Sequence, residues 1–165
     1  MKLYHGSNIA VKTPEIMPTQ RTLDFGGGFY TTLNFEQAAE FAKKVVLRSK
    51  KFGLTEGIAT VSEYEYNFET AEKTLRVLNF DEPDKAWLEF VVGNRQGKNF
   101  DKGYDLVAGP VANDNVYTVI GYYEDGSFTE EMAISALKIK KLFTQIVLKT
   151  DKALALLKFA KSAKI

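Results

Sequence analysis

Two places in this chain combine residue types and spacing suited to chemistry. The only histidine, His5, stands at the end of the first predicted strand in Tyr4-His5-Gly6-Ser7. Alone, such a histidine reads as a hydrogen-bonded structural residue. Gly6 changes that context, because without a side chain its amide and carbonyl stay uncovered and a flat carboxamide can pair with both. The second place is Gly26-Gly27-Gly28-Phe29-Tyr30-Thr31-Thr32. Here the glycines open space and Tyr30 offers a rigid aromatic face able to stack on a pyridinium ring. Alternating core and surface positions of a strand would explain Phe29 and Tyr30, but not three consecutive glycines.

Other chemistries are excluded. With no cysteine and one histidine, disulfides, thiolate sites and zinc held by several imidazoles are ruled out, leaving only an all-oxygen metal site. No metal is expected. The glycines are not a phosphate-binding P-loop, since no Lys-Ser or Lys-Thr follows and a strand continues where a helix should begin. Thr31 breaks the dinucleotide-binding Gly-x-Gly-x-x-Gly spacing, and no Gly-x-Ser-x-Gly elbow is present for a triad hydrolase.

The elements that must position these residues follow from periodicity. Lys2 to His5 reads as a strand, followed by a loop of roughly twenty residues, long enough to suggest function. Phe29 to Thr32 is a second strand, and Asn34 with Gln37 caps a helix running to about Phe52. Gly57 to Asn67 and Thr74 to Leu78 read as strands, and Asp81 with Pro83 opens a helix ending near Gly93. Tyr104 to Val107 is a buried strand. Val116, Val119, Ile120 and Tyr123 recur at helical spacing, and Thr129 caps a helix to about Leu137. Gln145 to Lys149 is expected to be the last strand, and Asp151 to cap a closing helix with Leu154, Leu157 and Ala160 on one side. No repeat or linker divides the chain, so residues 1–165 are expected to form a single α+β domain of about six short strands with surrounding helices.

Charge and hydropathy narrow the setting. The net charge is +1, yet lysines gather from Lys138 onward, which places a basic tail on the wet faces of terminal helices or against nucleic acid. No stretch approaches the roughly 20 apolar residues of a membrane span, and no leader pattern is seen at the N-terminus, so a cytoplasmic chain without a membrane partner is expected.

The two motifs, with a late strand beginning Thr144-Gln145, resemble the ADP-ribosyltransferase superfamily, in the His-Tyr-Glu branch that includes diphtheria toxin and the poly(ADP-ribose) polymerases. More narrowly, Tyr4-His5-Gly6-Ser7, Gly28-Phe29-Tyr30-Thr31-Thr32 and Gly109-Pro110-Val111-Ala112-Asn113-Asp114 resemble an uncharacterised bacterial and phage domain family expected to share that fold. The resemblance implies an ADP-ribosyltransferase-like split β-sheet, NAD as substrate, and cleavage of the nicotinamide–ribose bond with transfer of ADP-ribose to an acceptor. By it, His5 binds a ribose hydroxyl, the Gly6 backbone holds the carboxamide, and Tyr30 stacks on the nicotinamide. Ser7, Gly28, Phe29 and Thr31 complete the binding segments.

Gln145 stands where the family has its catalytic Glu. An amide keeps the hydrogen bond to the ribose but loses the charge that stabilises an oxocarbenium-like state, a loss of about 2–4 kcal/mol, or roughly two to three orders of magnitude in rate. Asp24 and Asp114 are the carboxylates placed to compensate. Arg21 suits the pyrophosphate as a forked permanent charge, or else is a solvated loop residue. The alternatives are a non-catalytic module binding NAD or ADP-ribose, and a nucleic-acid-directed member using the basic tail. The acceptor stays open among protein, nucleic acid and small molecule, and no oligomeric state is read from the sequence.

Overall fold

A computed structural model describes residues 1–17, 23–53, 57–110, 114–138 and 142–165, with the side chains of Asp114 and Asn115 outside the description. Seven strands form one open sheet in the order β4-β5-β6-β2-β1-β3-β7, and six helices are present among the described residues. The architecture is mixed α and β. The strands are β1 (Lys2–Ser7), β2 (Phe29–Thr32), β3 (Thr60–Tyr66), β4 (Val77–Asn79), β5 (Leu106–Pro110), β6 (Thr144–Leu148) and β7 (Leu157–Lys164). The helices are α1 (Phe35–Lys51), α2 (Phe68–Thr74), α3 (Lys85–Arg95), α4 (Asp114–Glu124), α5 (Glu130–Lys138) and α6 (Asp151–Leu154). Among the described strands only the β4–β5 pair is parallel.

Period-two alternation sorts the strand residues onto two faces. Val107 and Val147 join Trp87, Leu88, Val91, Ile120 and Leu137 in a core beneath α3, α4 and α5. Leu106, Ala108, Ile146 and Leu148 point the other way and pack with Leu3, Phe29 and Tyr64. Trp87 is fully buried, and its indole N–H donates to Pro110 O at 3.1 Å, which ties α3 to β5. On the second face the segment after β1 folds back. Val11 N–H donates to Ser62 Oγ at 3.0 Å, and the Tyr64 hydroxyl donates to Val11 O at 2.5 Å.

Several elements form as their local sequence dictates. Asn34 Oδ1 accepts from Gln37 N–H at 2.7 Å to start α1, and Thr129 Oγ1 accepts from Met132 N–H at 3.3 Å to start α5, as N-caps do. Asp84 caps α3 through Trp87 N–H at 2.8 Å, three residues beyond the expected Asp81. Asn67 caps α2, which takes in Thr74 and leaves β4 shorter than the strand expected there.

The chain's end departs from the expected helix. Thr150 caps a helix of four residues, Asp151–Leu154, and Leu157–Lys164 is a strand paired along β3 from Tyr66 to Thr60. Leu157 and Phe159 face inward and Lys158 and Ala160 outward, an alternation that the helical spacing of Leu154 and Leu157 concealed. The basic tail is therefore divided. Lys161 reaches Glu63 at 3.5 Å, where Lys2 also binds at 2.8 Å, while Lys158 and Lys164 are exposed. No helix among the described residues is long and apolar enough to cross a membrane.

Gly6 is the point of closest approach between β1 and α1. A Cβ there would lie 2.0 Å from Ala38 O and 2.9 Å from Ala42 N, both backbone atoms, so the helix itself would have to move. Gly6→Ala is expected to destabilise the fold by about 1–3 kcal/mol or more, as overpacking does, measured as a lower urea midpoint at unchanged m-value.

Candidate functional site

β1 and β2 share a single paired position among the described residues, Tyr4 with Thr32. Beyond it the two strands part, and His5 bridges them. Its Nδ1 lies 2.8 Å from Tyr30 O, and its ring stacks on Phe29 with centroids 4.4 Å apart and planes at 29°. A carbonyl oxygen only accepts, so Nδ1 carries the proton. Burial pushes the imidazole below its ordinary range, with the Tyr30 carbonyl pulling back. The ring is thus held neutral as one tautomer, which leaves Nε2 as the lone-pair acceptor.

Tyr30 points to the opposite face. Its ring packs on the core beneath α3 and α4, and its hydroxyl donates to Gly26 O at 2.6 Å. Burial, with Asp24 nearby, pushes the phenol far above its ordinary range, so it remains a donor. Gln145 pairs with Thr32 on one side and Gly109 on the other and, two residues from Val147, faces the Tyr30 side. His5 and Gln145 therefore lie on opposite faces of the sheet. Gly6 is covered by α1, Ser7 Oγ donates to Asn8 Oδ1 at 3.3 Å, and Thr31 Oγ1 donates to Ile146 O at 2.7 Å. Arg21 and the side chain of Asp114 lie outside the described residues.

The glycine loop before β2 is gripped by residues that the sequence did not single out. Lys149, 6% exposed, places Nζ 2.8 Å from Phe25 O, 2.5 Å from Gly27 O and 2.7 Å from Asp101 Oδ2. Burial pulls the ammonium below the ordinary lysine range, and Asp101 opposes that. Asn94, buried at the end of α3, donates through Nδ2 to Asp24 O at 3.1 Å and accepts through Oδ1 from Asp101 N–H at 3.0 Å. Arg95 lies over the Tyr117 ring at 4.7 Å, with Nε 4.0 Å from Asp24 Oδ1. Its Nη1 is enclosed without a hydrogen-bond partner among the described residues. Spacing gave no signal for Asn94, Asp101 and Lys149, which meet Asp24 and the loop only through the fold.

A cavity of about 310 Å³ opens at the start of β6, lined by Pro83, Pro110, Leu137 and Thr144 among others. It lies beside Gln145 in sequence and apart from His5. Among the described residues no three His, Asp or Glu side chains are grouped to hold a metal ion.

Residues 1–159 match the family described as Protein of unknown function (DUF3990). The chain belongs to that family. The match takes in β1, the glycine loop, β6 and Lys149, so the whole grip on the loop lies within the family's span. No curated protein and no solved structure matches the chain.

Two stability experiments follow for this member. Lys149→Met leaves the half-buried Asp101 without its cation and two carbonyls without a donor, and is expected to cost about 3–5 kcal/mol, read by chemical denaturation. Asp24 carries a pH signature. Burial pushes its carboxyl up to about 6 from 3.8, with Arg95 pulling it down and Glu124 adding to the rise. The folded state holds that proton more tightly than the unfolded chain, so its contribution is present below about pH 4 and lost as the pH rises through about 6, on the order of 3 kcal/mol in all. Asp24→Asn removes the titration. Its stability relative to the parent should grow between pH 4 and 7, and parallel curves across that window would rule the assignment out.

Proposed function

We propose that this chain has an ADP-ribosyltransferase-like fold, binds NAD, and breaks the nicotinamide–ribose bond, transferring ADP-ribose to an acceptor. The observation that carries the reading is the state of His5. The bond from Nδ1 to Tyr30 O fixes the tautomer and leaves Nε2 as a neutral acceptor at the parting of β1 and β2, the group a ribose hydroxyl donates to. In the reaction the bonding electrons leave with nicotinamide, and an acceptor nucleophile forms the new bond at the ribose carbon.

A second reading has its own support. Because the register sets Gln145 and His5 on opposite faces, a module that binds NAD or ADP-ribose without turnover fits the described arrangement. Calorimetric titration with NAD, followed by mass spectrometry for free nicotinamide, separates the two. The transferase reading expects binding with nicotinamide release, and faster release in Gln145→Glu. His5→Ala should weaken binding by about 1–2 kcal/mol, roughly five- to thirtyfold. Binding with no release from the parent or from Gln145→Glu establishes the binding module, and absence of NAD binding overturns both readings.

A further inference from the structure

Three successive carbonyls of the glycine loop turn toward the protein. Phe25 O and Gly27 O accept from Lys149 Nζ, and Gly26 O accepts from the Tyr30 hydroxyl. In a trans peptide the N–H points opposite to the C=O, and the described backbone holds no cis bond. The amides of Gly27 and Gly28 are therefore aimed away from Lys149 and Tyr30. Neither finds an acceptor among the described residues, and both glycines are partly exposed.

The rest of the loop suits that arrangement. Gly26 takes a left-handed φ of 72°, a turn conformation in which successive amides form a concave, anion-binding surface. Its own amide is used by Leu23 O at 2.9 Å. On the sheet side of Gly28 a Cβ would meet Val147 Cγ1 at 2.7 Å and Leu148 O at 2.8 Å, so β6 closes that side. The absence of side chains leaves the amides uncovered. Of the nearby carboxylates, Asp101 contacts Lys149 at 2.7 Å, and Asp24 lies 4.0 Å from Arg95 Nε. The Lys149 ammonium lies directly behind the loop.

We propose that the amides of Gly27 and Gly28 form a cradle for a phosphate oxygen, taking a ligand of the phosphate-ester or pyrophosphate class. The cradle lies two residues before the carbonyl that holds His5, so a sugar hydroxyl on Nε2 and a phosphate on the loop belong to one extended ligand. Assigning that phosphate to NAD rests on the proposed function above. The cradle itself rests only on the direction of the two peptides.

The test is a ¹H–¹⁵N correlation titration of the full chain at constant ionic strength with inorganic pyrophosphate, ADP, adenosine and NAD in turn. Pyrophosphate and ADP should move the Gly27 and Gly28 amide protons downfield, saturably, while adenosine leaves them in place. Movement with adenosine equal to that with ADP would overturn the cradle, as would unmoved glycine amides at saturating ADP. If pyrophosphate moves them and NAD does not bind, the cradle stands and the NAD reading falls. If NAD binds and shifts the His5 ring signals while both glycine amides stay still, the cradle falls and the NAD reading stands.

Discussion

The arrangement of this molecule depends on one buried cation. An ammonium group carries three donors, and Lys149 spends them on two loop carbonyls and one carboxylate, leaving none unmade at a place where an unmade one would be costly. The contact joins three stretches far apart in the chain: the glycine loop, the turn bearing Asp101 and the end of β6. Because Phe25 and Gly27 carbonyls converge on one point, the intervening backbone bends through Gly26, whose φ suits a residue without a side chain. A Cβ at that glycine would lie 2.1 Å from the Asp101 carboxylate. The glycines, the lysine and the aspartate are thus one device.

The sheet imposes a second constraint. Adjacent residues of a strand serve opposite faces, so Phe29 can support the His5 ring while Tyr30 is carried to the other side, where its hydroxyl holds the loop. His5 meets that side through the Tyr30 carbonyl, which lies in the plane of the sheet. The narrow junction of β1 and β2 makes this contact possible. Further regular pairing would occupy that carbonyl with a backbone amide in place of an imidazole.

What the sequence disclosed follows from the range of each interaction. The caps Asn34 and Thr129 act within three residues and were legible, as were the strands Phe29–Thr32 and Thr144–Leu148 to within a residue. The closing strand was not. Leu154, Leu157 and Ala160 mimic helical spacing, whereas the pairing that makes Leu157–Lys164 a strand is with β3, about a hundred residues earlier. The motifs around His5 and the glycines could be found by inspection, but Asn94, Asp101 and Lys149 could not, since an isolated polar residue in a loop or at an element's end looks the same whether it is solvated or buried.

The two charge pairs beside the loop differ in a way that separates support from response. Lys149 and Asp101 are closely apposed, with every ammonium donor used, so displacing either costs the fold and the pair has little freedom to react to a ligand. Arg95 and Asp24 meet at 4.0 Å with a guanidinium nitrogen enclosed and unpaired among the described residues. Their mutual attraction does not repay the burial of the carboxylate, whose proton affinity rises to about 6. An anion bound at the proposed cradle would raise that affinity further, so its binding would be coupled to uptake of a proton there. Of the two pairs, the incompletely satisfied one is therefore where the charge state of the loop can follow its occupancy, while the satisfied one keeps the loop's shape unchanged.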